Sequence, residues 1–209
     1  MQTPQNGFQS ERPQQNMQTG SVTYNHGGHE LNDVHEVLGG MIGALEQYAM
    51  FRGQLKNQEL VQIANNQYQF MLDEYNMLVQ AFSTGQDPAH GTKRYQMVNQ
   101  NNESIVYGLK PSPTPKQPKQ PNAIDDACIS GFMLSLVKGL ASSKALASTE
   151  VTNPVARRVI ADSIPNGIEM AYELFLWRNK NGHYQVPQYD QQTTTAMVHA
   201  FAPATPTMH

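Results

Sequence analysis

From Glu30 onward the apolar positions fall into helical register. Leu31, Val34, Leu38, Met41, Ile42, Leu45, Tyr48 and Ala49 recur mostly at spacings of three and four, the period of a helix with one buried stripe. The run stops at Gly53 and predicts a first helix over about 30–54. After Lys56-Asn57-Gln58 a second stripe begins: Leu60, Ile63, Ala64, Gln67, Phe70, Met71, Glu74, Leu78 and Phe82, closed by Ser83-Thr84-Gly85. It predicts a helix over about 58–83, and so short a turn makes the two helices antiparallel neighbours.

Between Gln86 and Asn122 the periodicity fails. Pro111, Pro113, Pro115, Pro118 and Pro121, with Lys and Gln between them, predict an extended, polyproline-like strap over 111–121. Ile124 opens a third apolar run through Ala127, Cys128, Gly131, Phe132, Leu134, Leu136, Val137, Leu140, Ala141, Ala145 and Leu146. It reads as a helix over about 123–149 whose Ala, Ser and Gly let neighbours approach closely. Asn153-Pro154 then reads as the N-cap and first residue of a fourth helix. That helix continues through Val155, Val159, Ile160, Ile164, Ile168, Ala171, Tyr172 and Phe175 over 154–180, with Pro165 expected to kink it. A short helix within 190–201 is expected to lay Met197, Val198 and Phe201 against the rest.

Four helices of about 24–27 residues would each be about 36–40 Å long. A connection of about 37 residues can cross that length, which makes helices two and three parallel. The predicted fold is therefore all-α, a ferritin-like four-helix bundle with one long crossover between helices 2 and 3. It occupies residues 29–203, between a low-complexity arm over 1–28 and a loose tail over 204–209. The arm is Gln-, Asn-, Pro- and Gly-rich, too poor in apolar side chains to offset the entropy of ordering.

Composition narrows the function. Of 209 residues 39% are hydrophobic, enough for a sizeable core. Only 15% are charged, and 22 Gln and 16 Asn fill the gap. A net charge of −3 offers no basic footprint, so nucleic acid is not an expected partner. One cysteine excludes an internal disulfide framework. No secretory leader is expected at the Gln-rich N-terminus. The least polar stretch, 129–148, carries Lys138 and Lys144, which fits a core helix better than a membrane span.

Candidate chemistry is sparse. A di-metal bundle needs a Glu from each of two helices and a Glu-x-x-His from each of the other two. Helix one offers Glu46, and helix two offers Glu74 with Met77 three residues on. Helix four offers Glu169 and Glu173, followed at that spacing by Tyr172 and Leu176, and helix three has no acid between Asp126 and Glu150. These carboxylates read as polar edge positions, or as buried groups bonded to Tyr and Gln. His29 and His35 lie six apart rather than at the four-residue spacing of a zinc motif, so His26, His29 and His35 read as a solvated helix start. Cys128, in an apolar run, reads as core packing. Gly39, Gly40 and Gly43 fall mid-helix with no preceding strand and read as close-packing contacts rather than a phosphate loop. No catalytic, cofactor-binding or metal residue is assigned, and the protein reads as no enzyme.

Longer strings carry a resemblance. They include Glu30-Leu31-Asn32-Asp33-Val34-His35-Glu36, Gln47-Tyr48-Ala49-Met50-Phe51-Arg52, and Gln67-Tyr68-Gln69-Phe70-Met71-Leu72-Asp73-Glu74-Tyr75-Asn76. Thr84-Gly85-Gln86-Asp87-Pro88 and Tyr107-Gly108-Leu109-Lys110-Pro111 follow, then Glu150-Val151-Thr152-Asn153-Pro154-Val155, Ile168-Glu169-Met170-Ala171-Tyr172-Glu173 and Tyr184-Gln185-Val186-Pro187-Gln188. Over about 29–203 the chain resembles the coat F family of bacterial endospore coat proteins.

The resemblance implies a ferritin-like fold without the metal site and a structural, non-catalytic role in coat assembly and spore resistance. It also implies synthesis in the mother-cell cytoplasm, deposition in the spore coat, other coat proteins as partners, and no cofactor. Self-association into a homo-oligomer is compatible with the low charge. Exposed amides and amines suggest Gln14, Gln15, Lys116 and Lys119 as sites of isopeptide cross-linking. Two other classes fit the same chain: a sporulation adaptor binding one partner protein, and a cryptic metal-dependent oxidoreductase using Glu46, Glu74, Glu169 and Glu173.

Overall fold

The computed structural model describes residues 26–88, 90–98, 104–111 and 117–204. Most of the N-terminal arm (including Gln14 and Gln15), residues 112–116 of the strap (including Lys116) and the tail beyond Ala204 lie outside the described residues. The described chain is all-helical: α1 (Gly28–Arg52), α2 (Gln58–Thr84), α3 (Asp126–Ala147), α4 (Pro154–Lys180) and α5 (Gln191–Val198), with a 3₁₀ turn at Pro121–Ala123. Among the described residues there is no strand, only isolated bridges from Tyr107 and Gly108 to Val186.

Capping chemistry sets the boundaries. Asn57 accepts from the Leu60 amide, and Asn153 accepts from the amides of Val155 and Ala156 with Pro154 following, satisfying donors that an open helix start leaves unpaired. α2 stops at Gly85, whose φ of +65° is the left-handed cap that glycine adopts without strain. α3 begins three residues later than the apolar pattern suggested, because Asp125 caps it through the Cys128 amide and Pro121 ends the strap in a 3₁₀ turn. α4 runs through Pro165 without interruption.

α1 packs on α2 and α3, and α4 packs on the same two helices from the other side. Cross-bonds fix the directions. Tyr48 near the end of α1 donates to Gln67 in α2, while Lys180 at the end of α4 pairs with Glu59 at the start of α2. Arg178 in α4 donates to the Ala127 carbonyl and Ser130 hydroxyl at the start of α3. Asp126, opening α3, accepts from the amides of Lys56 and Asn57 just before α2. The two hairpins are therefore antiparallel, and α2 and α3 run parallel, as expected.

The core is two clusters laid end to end. One gathers Tyr48, Leu60, Ile63, Met133, Leu174 and Trp177, the other Val34, Met41, Leu78, Ala147, Val159 and Ile160. Several expected core positions are not in it. Leu31, Ile42, Phe132, Leu146 and Ile168 are exposed, because a stripe covering about a third of the helix surface leaves the flanking apolar positions outside. α5 forms where expected, but Met197, Val198 and Phe201 do not reach the core: they are 58%, 68% and 92% exposed. Of the three mid-helix glycines of α1, Gly40 alone is a close contact, where an added Cβ would lie 3.3 Å from Leu140; Gly39 and Gly43 face open space. The tight approach is instead between α3 and α4, where a Cβ on Gly167 would come within 3.1 Å of Ala141.

Candidate functional site

The crossover from α2 to α3 lies along α4, and α4 holds it with a row of polar side chains. Asp162 accepts from Thr92 (2.7 Å). Asn166 accepts from the Tyr95 amide (3.0 Å) and donates to the Lys93 carbonyl (3.0 Å). Glu173 accepts from the Val98 amide (2.5 Å) and the Tyr95 hydroxyl (2.5 Å). Asn179 both accepts from the Val106 amide (2.7 Å) and donates to the Val106 carbonyl (2.9 Å). Spacings of four and seven keep Asp162, Asn166 and Glu173 on one face of α4, and Asn179 lies about 120° further round, at the last turn of the helix. They also meet the crossover in rising order, so it runs in the direction of α4 and returns the chain to the end where α3 must start.

Beneath that row lie two buried polar groupings. In the first, Tyr48 donates to Gln67 Oε1 (2.6 Å), and Gln67 Nε2 donates to Glu173 Oε2 (2.9 Å) and the Met170 carbonyl (3.1 Å). Burial pushes the Glu173 carboxyl above its usual range, even though Tyr95, Val98 and Gln67 all donate to it and pull the other way. Burial, reinforced by the charge of Glu173, raises the phenols of Tyr48 and Tyr95, so both remain protonated donors.

The second grouping joins three helices. Lys144 of α3 donates to Glu74 Oε2 (2.9 Å) and Asn166 of α4 donates to Glu74 Oε1 (2.8 Å). All three side chains are buried. Glu74 stands in the α2 sequence between Met71 of one core cluster and Leu78 of the other, so the pair forms the polar layer where the clusters meet.

A third buried carboxylate closes one end of the molecule. Glu30, wholly buried in the first turn of α1, accepts from the amides of Thr152 and Asn153 (2.9 Å each), from the Thr152 hydroxyl, and from His26. Burial alone would raise its pKa, but these donors together hold it below the usual carboxylate range. His26 also packs on the Phe82 ring, with His35 edge-on to it. The expected solvated histidine start is thus partly a packed knot joining α1, the end of α2 and the start of α4.

The four carboxylates of a cryptic metal centre do not come together as one. Glu46 and Glu169 are exposed, while Glu74 and Glu173 have separate partners. The Lys144 ammonium stands where a cation bound to Glu74 would have to sit, and like charges exclude one another there. Among the described residues no group of three His, Cys, Asp or Glu is placed to hold a metal ion. Cys128 is not core: it is half-buried, because its side of the first turn of α3 opens on a cleft of about 570 Å³ lined also by Ile124, Phe132, Lys119 and Arg178.

Sequence reasoning placed Gln67 and Glu74 on the inner face of α2 but did not single out Lys144, Asn166, Asn179 or Tyr95. A lysine in an otherwise apolar run was the legible signal for the first. The others serve a chain segment with no periodicity to read.

Residues 125–187 match the Coat F domain. The chain is 46% identical over 179 residues to the spore coat protein F-like protein YhcQ of Bacillus subtilis (strain 168), an alignment covering 85% of this chain and 81% of the relative. No solved structure matches it. No helix among the described residues is long and apolar enough to cross a membrane.

Proposed function

Because the chain belongs to the coat F family of spore coat proteins, we propose that it is a structural, non-catalytic subunit of the endospore coat, built on a ferritin-like four-helix frame. The reading includes synthesis in the mother cell, deposition around the forespore, and association with other coat proteins and with further copies of itself. The observation that carries it is the use to which the buried carboxylates are put. Glu74, Glu173 and Glu30 each accept two or more donors from distant parts of the chain, so they serve as ties between elements rather than as ligands or acid–base groups open to a substrate. The order of helix directions, with α2 and α3 parallel across one long connection, supports the ferritin-like classification.

The polar surface supports a packing role as well. Few charges and many amides weaken repulsion between subunits. Lys119, the one proposed cross-linking residue among those described, is exposed and pairs with Asp125. A fluorescent fusion followed through sporulation tests the proposal. It is expected to form a ring around the forespore late in the process. A signal dispersed in the mother-cell cytosol would instead favour the adaptor, and stoichiometric iron or manganese in protein purified without added metal would favour the oxidoreductase.

A further inference from the structure

The buried grouping of Glu74, Lys144 and Asn166 holds more chemistry than an ion pair needs. Lys144 Nζ lies 2.9 Å from Glu74 Oε2, and Asn166 Nδ2 lies 2.8 Å from Glu74 Oε1. One carboxylate thus presents a primary amine and a primary carboxamide on its two oxygens. All three side chains are at most 4% exposed, and Met41, Met71, Val137, Leu140 and Met170 stand around the pair. The two helices that carry the amine and the amide press together beside them. A Cβ on Gly167, next to Asn166, would come within 3.1 Å of Ala141, one turn before Lys144.

The amide is also placed for attack. Asn166 Oδ1 accepts from the Tyr95 backbone amide (3.0 Å), where a donor must stand if negative charge builds on that oxygen. Nδ2, the group that would leave, rests on a carboxylate able to hand it a proton. A void of about 10 Å³ beside Glu74 and Asn166, lined also by Thr92 and Ser163, is about the room one water-sized molecule needs. Ammonia is of that size.

We propose that Lys144 and Asn166 join in an intramolecular isopeptide bond, with Glu74 as the proton carrier. Glu74 takes a proton from the Lys144 ammonium, and the neutral amine attacks Asn166 Cγ. The carbonyl electron pair moves to Oδ1, under the Tyr95 amide. Glu74 then gives its proton to Nδ2 and takes one from Nζ. The carbonyl reforms, the Cγ–Nδ2 bond breaks, and ammonia leaves. The products are a secondary amide, ammonia and a protonated Glu74, so the buried ion pair is discharged and no oxidant or cofactor enters the balance. The newly folded chain holds the ion pair, and the bond follows from it on standing. It closes a ring over 144–166 and fastens α3 to α4. This goes beyond the coat-subunit reading and does not rest on it, since the purified full chain tests it alone.

Trypsin cuts after lysine and arginine, so an unlinked Lys144 releases peptide 145–157. The linked chain instead gives one branched species that joins 139–157 to 159–178 through an uncut Lys144, lighter than the two parts by one ammonia. That species is expected to accumulate in the folded full chain on standing, and to stay absent from a chain kept in denaturant. Glu74→Gln and Lys144→Arg, each first checked for helical content, are expected to lose it completely. Full release of 145–157 from aged, folded wild type would overturn the proposal, as would a branched species that persists in folded Glu74→Gln. Loss of ammonia confined to 159–178, with Lys144 still cut, would mark ring closure at Asn166-Gly167 and would overturn it too.

Discussion

At the scale of single residues, the buried ion pair between Glu74 and Lys144 makes the sharpest demand. Each charge is removed from water and repaid by the other, so losing one partner strands the second. Lys144→Met is expected to cost about 3–5 kcal/mol in urea denaturation, and the double change Lys144→Met with Glu74→Gln should recover much of that. A full-cost double variant would mean that the lysine stem, not its charge, matters. Glu30 and Glu173 make opposite predictions with pH. The Glu30 pKa is lowered by folding, so its contribution is complete above the unfolded value and is lost as pH falls through the folded one. The Glu173 pKa is raised, so the penalty of ionising it is relieved as pH falls toward the unfolded value. Denaturant titrations at several pH values below about 6 should show the advantage of wild type over Glu30→Gln shrinking in acid. The advantage over Glu173→Gln should move the other way.

At the scale of elements, the helices were legible in the sequence and the crossover was not. Asn57, Asn153-Pro154 and Gly85 announce boundaries through local chemistry that any chain of this kind must obey. The paths of residues 92–98 and 104–106 depend on side chains of α4 seventy or more positions away, and no local pattern encodes such a pairing. The same limit explains the surfaces. The short helix within 190–201 is legible in the sequence, but the exposure of Met197, Val198 and Phe201, expected against the bundle, is not. Spacing marked Cys128 as apolar company without showing that it lies on a cleft at the start of α3. The lysine among apolar residues at 144 was readable, yet its partner in α2 was not.

Two measurements belong to this scale. Asn166→Ala and Asn179→Ala should each speed amide exchange at Tyr95 and Val106 by roughly tenfold to a hundredfold, the value of one or two hydrogen bonds. The central turns of α2 and α4 should be little changed. Gly43→Ala, facing open space, is expected to stabilise by about 0.5–1 kcal/mol through helix propensity. Gly167→Val, pressed against Ala141, should destabilise by about 1–3 kcal/mol through overpacking. Thermal unfolding distinguishes the signs, and like signs would refute the assigned packing.

At the scale of the whole molecule, the protein is a frame whose buried carboxylates hold its own chain together. Two short hairpins supply four packed helices, α4 pins the connection that joins them, and Glu30 ties the first helix to the start of the last long one. Such a frame ties its helices together through its own buried side chains. The most direct test of the proposed role is where the protein resides in mature spores. Washed spores extracted first in mild buffer and then with denaturant should release the chain only in the second step, as an integral shell component would. Recovery in the mild extract, or absence from the washed spores, would contradict a structural place in the coat.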